Sequence, residues 1–334
     1  MRERYLAAVR SRQPEDNAGN KLFSGLLRPT LREGLPKRLV IIPDSRLHLL
    51  PFDALKDEAG KYILESSVVT YAPSATVLHL LRQSRPVKPA SLTFLGVGGV
   101  IHPQSATVVS AATGSTKPMK DSTFDFFDVQ GIQFPDLPGS RQEVMSVAGI
   151  VSGVDRVLLG ADATETNFKG LPLADFGVIH LAVHGVANSQ FPDRAALVLS
   201  NSPESHEDGL LQVREIRDLA FNAELVTLSA CDSGSGRLLG EEGIANLERA
   251  FLLAGAKSVV ASLWTADDTF TIALMKRMYQ HLADGDDKGA ALRQSKLDLL
   301  KEFGNQALPM RRYFYGFKTA FPMMTRAPSN LRRL

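Results

Sequence analysis

The chain has 334 residues, 44% of them hydrophobic and 22% charged, which is enough apolar material to bury one large or two modest domains. Its 38 basic and 36 acidic side chains leave a formal charge of +2 with no long run of either sign, which argues against nucleic acid or anionic lipid as partners. Residues 1–12 lack the apolar core of a signal peptide and no apolar run approaches membrane-spanning length, so the sequence reads as a cytoplasmic protein.

Residues 1–30 form a helical lead-in, broken by the polar stretch Arg12–Asn20 and resuming at Lys21, with the character of a linker. From Lys37 the string RLVIIPDSRLHLLPFDAL suggests a strand, a Pro-Asp-Ser turn and a second short strand, a β-hairpin within a small N-terminal region over residues 31–90. A strand at Ser67–Ala72 and a helix at Ser74–Gln83 complete that region. The apolar strand Leu92–Val97 follows and ends in Gly98-Gly99. Residues 100–138, rich in Ser, Thr, Gly and Asp, have no sustained period, and a loop of that length is functional or disordered.

From Ser140 the pattern alternates: a helix over 140–149, a strand at Arg156–Gly160, a helix opening at Thr164, then the apolar run Val178–Val183. A polar, hairpin-like excursion reaches Ala223, and a second apolar run covers Leu225–Ala230. An amphipathic helix at Gly243–Leu253, a strand at Ser258–Trp264, helices over 269–283 and 288–303, and an aromatic strand at Tyr313–Phe321 complete the chain. Strands alternating with helices predict an α/β core over residues 91–334, a mostly parallel sheet with helices on both faces. No internal repeat is visible, which excludes a solenoid.

The two apolar runs each lead into a reactive residue. One delivers His184-Gly185, the other Cys231. Cys231 is the single cysteine of the chain, so it has no disulfide partner and no second thiol for a zinc site. Neighbouring parallel strands lie about 5 Å apart, and ligands of open parallel sheets bind at the carboxyl ends of the strands. A thiol and an imidazole there would share one crevice, His184 generating or stabilising the thiolate of Cys231. The backbone N–H groups of Gly185 and Cys231 would serve as the oxyanion hole. Singly, a buried cysteine and a strand-end histidine are ordinary packing features; their coincidence on two strand ends favours catalysis.

A rival reading takes Cys231-Asp-Ser-Gly-Ser-Gly-Arg237 as a phosphate-cradling loop of a cysteine phosphatase. Against it, Leu-Leu-Gly-Glu241-Glu242 delays the next helix and brings carboxylates toward the anion, and His184 is left without a role. Farther on, Trp264-Thr-Ala-Asp267-Asp268 offers a carboxylate at the same rim for a substrate arginine or lysine. Either aspartate could instead cap the next helix; that reading suits Asp267, while Asp268 is balanced between the two.

Six strings resemble, in order, those of CHAT domains, the caspase-like cysteine peptidases related to separase. They are RLVIIPDSRLHLLPFDAL, LPGSRQEV, VIHLAVHG, DGLLQVREI, LVTLSACDSG and EEGIANLERAFLLAGAKSVVASLWTADD, and the resemblance runs from about residue 20 to the end. It implies a caspase-haemoglobinase fold and a cysteine endopeptidase with a His184–Cys231 dyad, acting on a protein or peptide. The separase-like branch would place the acid of an arginine pocket on Asp268 and cleavage after a basic residue. That chemistry needs no metal and no organic cofactor. The family also implies an upstream tetratricopeptide module or activator as partner; the sequence leaves open whether gating runs through residues 100–138, through Ser233–Gly243 or through that module. A CHAT fold serving only as a docking surface is the non-catalytic alternative. One departure stands out: Met310-Arg-Arg-Tyr-Phe314 replaces the family's His-Pro and aromatic residues on the last strand.

Overall fold

The computed structural model describes residues 2–11, 17–44, 47–48, 50–83, 92–101, 137–151, 153–186, 192–201, 206–229, 243–263, 268–303 and 317–320. Through the first third of the chain the elements are α1 (Arg2–Ser11), α2 (Ala18–Leu26), β1 (Arg38–Ile41), α3 (Ile63–Ser66), β2 (Val68–Tyr71), α4 (Ala75–Gln83) and β3 (Leu92–Gly98). The middle contributes α5 (Pro138–Ala148), β4 (Val154–Leu159), α6 (Glu165–Lys169), β5 (Phe176–Ala182), β6 (His184–Val186), β7 (Ala196–Val198), β8 (Leu210–Gln212) and α7 (Val213–Asp218). Then come β9 (Leu225–Leu228), α8 (Gly243–Leu253), β10 (Val259–Ser262), α9 (Asp268–Ala283), α10 (Lys288–Phe303) and β11 (Phe317–Ala320).

The main sheet has the order β1-β2-β11-β10-β9-β5-β3-β4. Strands β4, β3, β5, β9 and β10 are mutually parallel. β11 runs antiparallel to β10 and parallel to β2, which in turn is parallel to β1. The expected mostly parallel sheet is therefore two parallel blocks meeting at one antiparallel junction.

Each face of this sheet carries its own core. Val178 of β5 joins Phe94, Leu225 and Val260 beneath α5, α9 and α10, while Ile179 and Leu181 join Val226, Leu228 and Val259 beneath α7 and α8. Every residue of β5 is buried, the reason its sequence is apolar at both parities. Helix α5 lies directly on β3 because Gly96 and Gly98 alternate on the face it covers. A Cβ at Gly96 would stand 2.6 Å from Val144 Cγ1, and one at Gly98 2.8 Å from Val144 Cγ2.

The structure corrects two expectations for the N-terminal region. RLVIIPDSRLHLLPFDAL is not a β-hairpin: β1 pairs in parallel with β2, Arg38 opposite Val68, and Phe52–Ala54 winds into a 3-10 turn. Pro51 supplies no donor for a ladder, and Asp53 is drawn to α10, where Lys296 Nζ lies 2.6 Å from its Oδ2. Nor is the lead-in a linker. Tyr5, Leu6, Leu22 and Phe23 are buried in the core, and the Tyr5 hydroxyl donates to the Ala54 carbonyl at 2.9 Å.

Ion pairs tie the start of β9 and the start of β1 to the start of α10. Glu224, just before β9, is held between Lys257 and Lys288, and Arg38 pairs with Asp287. Burial pushes the Lys288 amine down to about 8 against the opposing pull of Glu224.

Candidate active site

The parallel strands β3, β5, β9 and β10 all end at one rim. β5 and β9 are immediate neighbours with Leu181 opposite Leu228, and the Ser229 N–H donates to the Leu181 carbonyl at 2.9 Å. The chain does not run straight from β5 into its loop. After a bend at Val183, His184 opens β6, the first strand of a separate antiparallel sheet β6-β7-β8. His184 lies opposite Val198 and Gly185 opposite Leu197. The imidazole is fully enclosed, at 0% exposure.

Cys231, Arg237 and Asp267 fall outside the described residues, as do residues 102–136, 233–242 and 310–314; β9 is followed as far as Ser229. Asp268 is exposed in the first turn of α9 and sits against the start of α5. The contact is close enough to require glycine: a Cβ on Gly139 would lie 2.5 Å from Asp268 Oδ2. One residue on, Ser140 Oγ accepts from the Gly99 N–H at 2.8 Å and donates to the Leu137 carbonyl at 2.7 Å, tying the same turn to the end of β3.

Beneath the rim lies a group that sequence reasoning missed. His180 of β5 and Thr227 of β9 are register partners, and the hydroxyl of Tyr279 from α9 meets both, at 3.2 Å from His180 Nδ1 and 2.9 Å from Thr227 Oγ1. The other ring nitrogen, Nε2, is 2.9 Å from Glu143 Oε1 of α5. All four side chains are buried. In the tautomer with its proton on Nε2, His180 donates to Glu143, accepts from Tyr279 at Nδ1, and leaves Tyr279 to accept from Thr227. Burial holds the Tyr279 phenol well above its ordinary pKa; the Thr227 hydrogen bond opposes this and the Glu143 charge adds to it. The signal was present in VIHLAVHG: a histidine inside an otherwise apolar strand requires buried partners.

A second polar cluster supports the small sheet. Lys169 Nζ stands 2.6 Å from Glu165, 3.0 Å from Glu207 and 3.1 Å from Glu215, and Glu165 Oε2 accepts from the Gly209 N–H that leads into β8. Burial raises the Glu165 carboxyl to about 7, against the pull of Lys169. These three carboxylates have the spacing of a cation site, but the lysine ammonium already fills their centre. The string DGLLQVREI thus acts as the anchor of β8. Among the described residues no helix is long and apolar enough to cross a membrane.

The sequence profile of the CHAT domain matches residues 16–319. The chain belongs to the CHAT-domain family. This CHAT domain is 27% identical over 289 residues to tetratricopeptide repeat protein 28 of Mus musculus, and 24% identical over 284 residues to that of Homo sapiens. Each match takes in 80% of the chain but 11% of the relative, so the chain spans about a ninth of the length of these relatives. Among solved structures, the Saccharomyces cerevisiae separase–securin complex aligns with 88% of this chain and 16% of that chain, at 13% identity and a TM-score of 0.48. The Arg-specific cysteine proteinase gingipain R aligns with 95% of this chain and 68% of its own, at 9% identity and a TM-score of 0.48.

Proposed function

We propose that this CHAT domain is a cysteine endopeptidase with Cys231 as nucleophile and His184 as its acid–base partner, cleaving after arginine or lysine. The carrying observation is the pairing of Leu181 with Leu228 on adjacent parallel strands. His184 and Cys231 each follow that pair by three residues along the chain.

In this reading the Cys231 thiolate attacks the scissile carbonyl carbon. The N–H groups of Gly185 and Cys231 hold the oxyanion, and the intermediate collapses to a thioester as His184 protonates the departing amine. Water deprotonated by His184 then attacks the thioester, releasing the acid product and regenerating the thiol. Asp268, exposed at the start of α9, is the carboxylate for the basic side chain of the substrate. Because the His184 ring is fully enclosed, peptide reaches the imidazole as the covering residues move, so the chain alone should turn over slowly. The relatives are tetratricopeptide repeat proteins far longer than this chain, which fits a repeat module or a protein activator as the agent of that opening.

The test is cleavage of fluorogenic arginyl, lysyl and neutral peptides by purified protein. Cys231→Ala and His184→Ala should each abolish turnover, and Asp268→Ala should flatten the preference for arginine. Turnover surviving Cys231→Ala sinks the nucleophile, and an intact arginine preference in Asp268→Ala sinks the pocket.

A further inference from the structure

We propose that Tyr279 is a positioning residue for the dyad, its hydroxyl fixing the register between the strand that leads to His184 and the strand that leads to Cys231. This inference rests on the peptidase reading. The phenol bridges His180 and Thr227, which face each other across β5 and β9, and each precedes a dyad member by four residues.

The need for such a device follows from the strands themselves. In an apolar parallel pair, a slip of two residues returns every side chain to its original face, so burial alone discriminates poorly between registers two apart. A buried polar group with a unique partner removes that degeneracy, because the slipped form strands it without a hydrogen bond. VIHLAV holds His180, and LVTLSA holds Thr227 besides Ser229; one register sets His180 and Thr227 under the same hydroxyl.

The bridge also sets the height of α9, since Tyr279 lies eleven residues, about three turns, beyond Asp268 on nearly the same helical face. Glu143 completes the tie: it holds the far side of the His180 ring from α5, one turn below the Gly139 contact with Asp268. Both dyad strands and the two helices around the candidate pocket acid are thereby joined through one chain of buried hydrogen bonds. The His180 and Tyr279 rings pack edge to face at 5.6 Å, so phenylalanine can replace tyrosine with the packing kept and the bridge removed.

The single cysteine makes the test clean. The full chain is alkylated with iodoacetamide across pH 5–10, alongside arginyl-peptide kinetics and thermal melts. Wild type should titrate below the ordinary thiol value of about 8.5. Tyr279→Phe should move that midpoint back toward the ordinary value and lower kcat by roughly 10–100-fold with little change in KM, as expected for misplaced reacting groups. Asp53→Asn, which breaks a distant buried ion pair, should lower the melting temperature while leaving midpoint and kcat in place. A Tyr279→Phe protein that melts early yet keeps the wild-type midpoint and kcat overturns the proposal, for the hydroxyl is then structural only. If Tyr279→Phe does not fold, Thr227→Val, which removes one arm of the bridge, is read by the same two criteria. A wild-type thiol with an ordinary midpoint and no peptide turnover overturns the peptidase reading, and this inference with it.

Discussion

Replacing Lys296 by methionine tests whether the N-terminal region is held to the core as described. The ammonium lies 2.6 Å from Asp53 Oδ2, with the two side chains 2% and 11% exposed, so water screens the pair little. Methionine preserves the length and most of the volume of the stem but strands the Asp53 carboxylate beside α10. Removing one partner of a buried pair costs about 3–5 kcal/mol, mostly the penalty on the charge left behind. For a chain of this length that is a drop in melting temperature of about 4–7 °C. Adding Asp53→Asn removes the stranded charge and should recover about half or more of the loss, because a neutral pair carries a far smaller desolvation cost. Differential scanning calorimetry of the single and double variants measures both quantities. A single variant within about 1 kcal/mol of wild type, or a double variant less stable than the single, would refute the buried-pair assignment.

Two further outcomes follow from close contacts and titration. Gly139→Ala forces a Cβ onto Asp268 and should cost about 1–3 kcal/mol while weakening arginine preference in peptide profiling. Gly149→Ala, whose nearest contact would be at 3.6 Å, should do neither. Lys288 has its folded pKa depressed to about 8 by burial, so between pH 8 and its ordinary value the unfolded chain binds the extra proton. Stability should therefore rise with pH above about 8, and urea titrations between pH 7 and 9.5 should show that Lys288→Met loses this rise. An unchanged slope in the variant would assign the rise to another group.

Most of the parallel core was legible because its strands are apolar at both parities, as β5 and β9 are, and because α8 and α10 carry clear helical periods. The N-terminal region was misread for a local reason. LHLLPFDAL has strand-like composition, yet Pro51 and the distant Lys296 decide its shape, and neither pairing nor partner is visible in a window of twenty residues. Tyr5 and Phe23 were likewise assigned to a linker, since nothing nearby in sequence indicates what they pack against. At the rim, His184 and Asp268 were picked out by their positions after apolar runs. The bend at Val183 that moves His184 into a second sheet was not, because HGV continues the apolar alternation without a break. The buried group under the rim escaped for the opposite reason. His180, Thr227, Glu143 and Tyr279 lie on four elements, and their meaning appears only once register brings them together. Gly96 and Gly98 carried an unread signal, an alternation of glycine on one strand face that marks the seat of a helix.

The most direct measurement on the central claim is intact-mass analysis after incubation with an arginyl acyloxymethyl ketone, with peptide mapping of the adduct. The account expects one adduct, on Cys231, that grows when the enclosed His184 is opened by an activator and that is lost in His184→Ala. Labelling that maps elsewhere, or that proceeds equally well without His184, would contradict it.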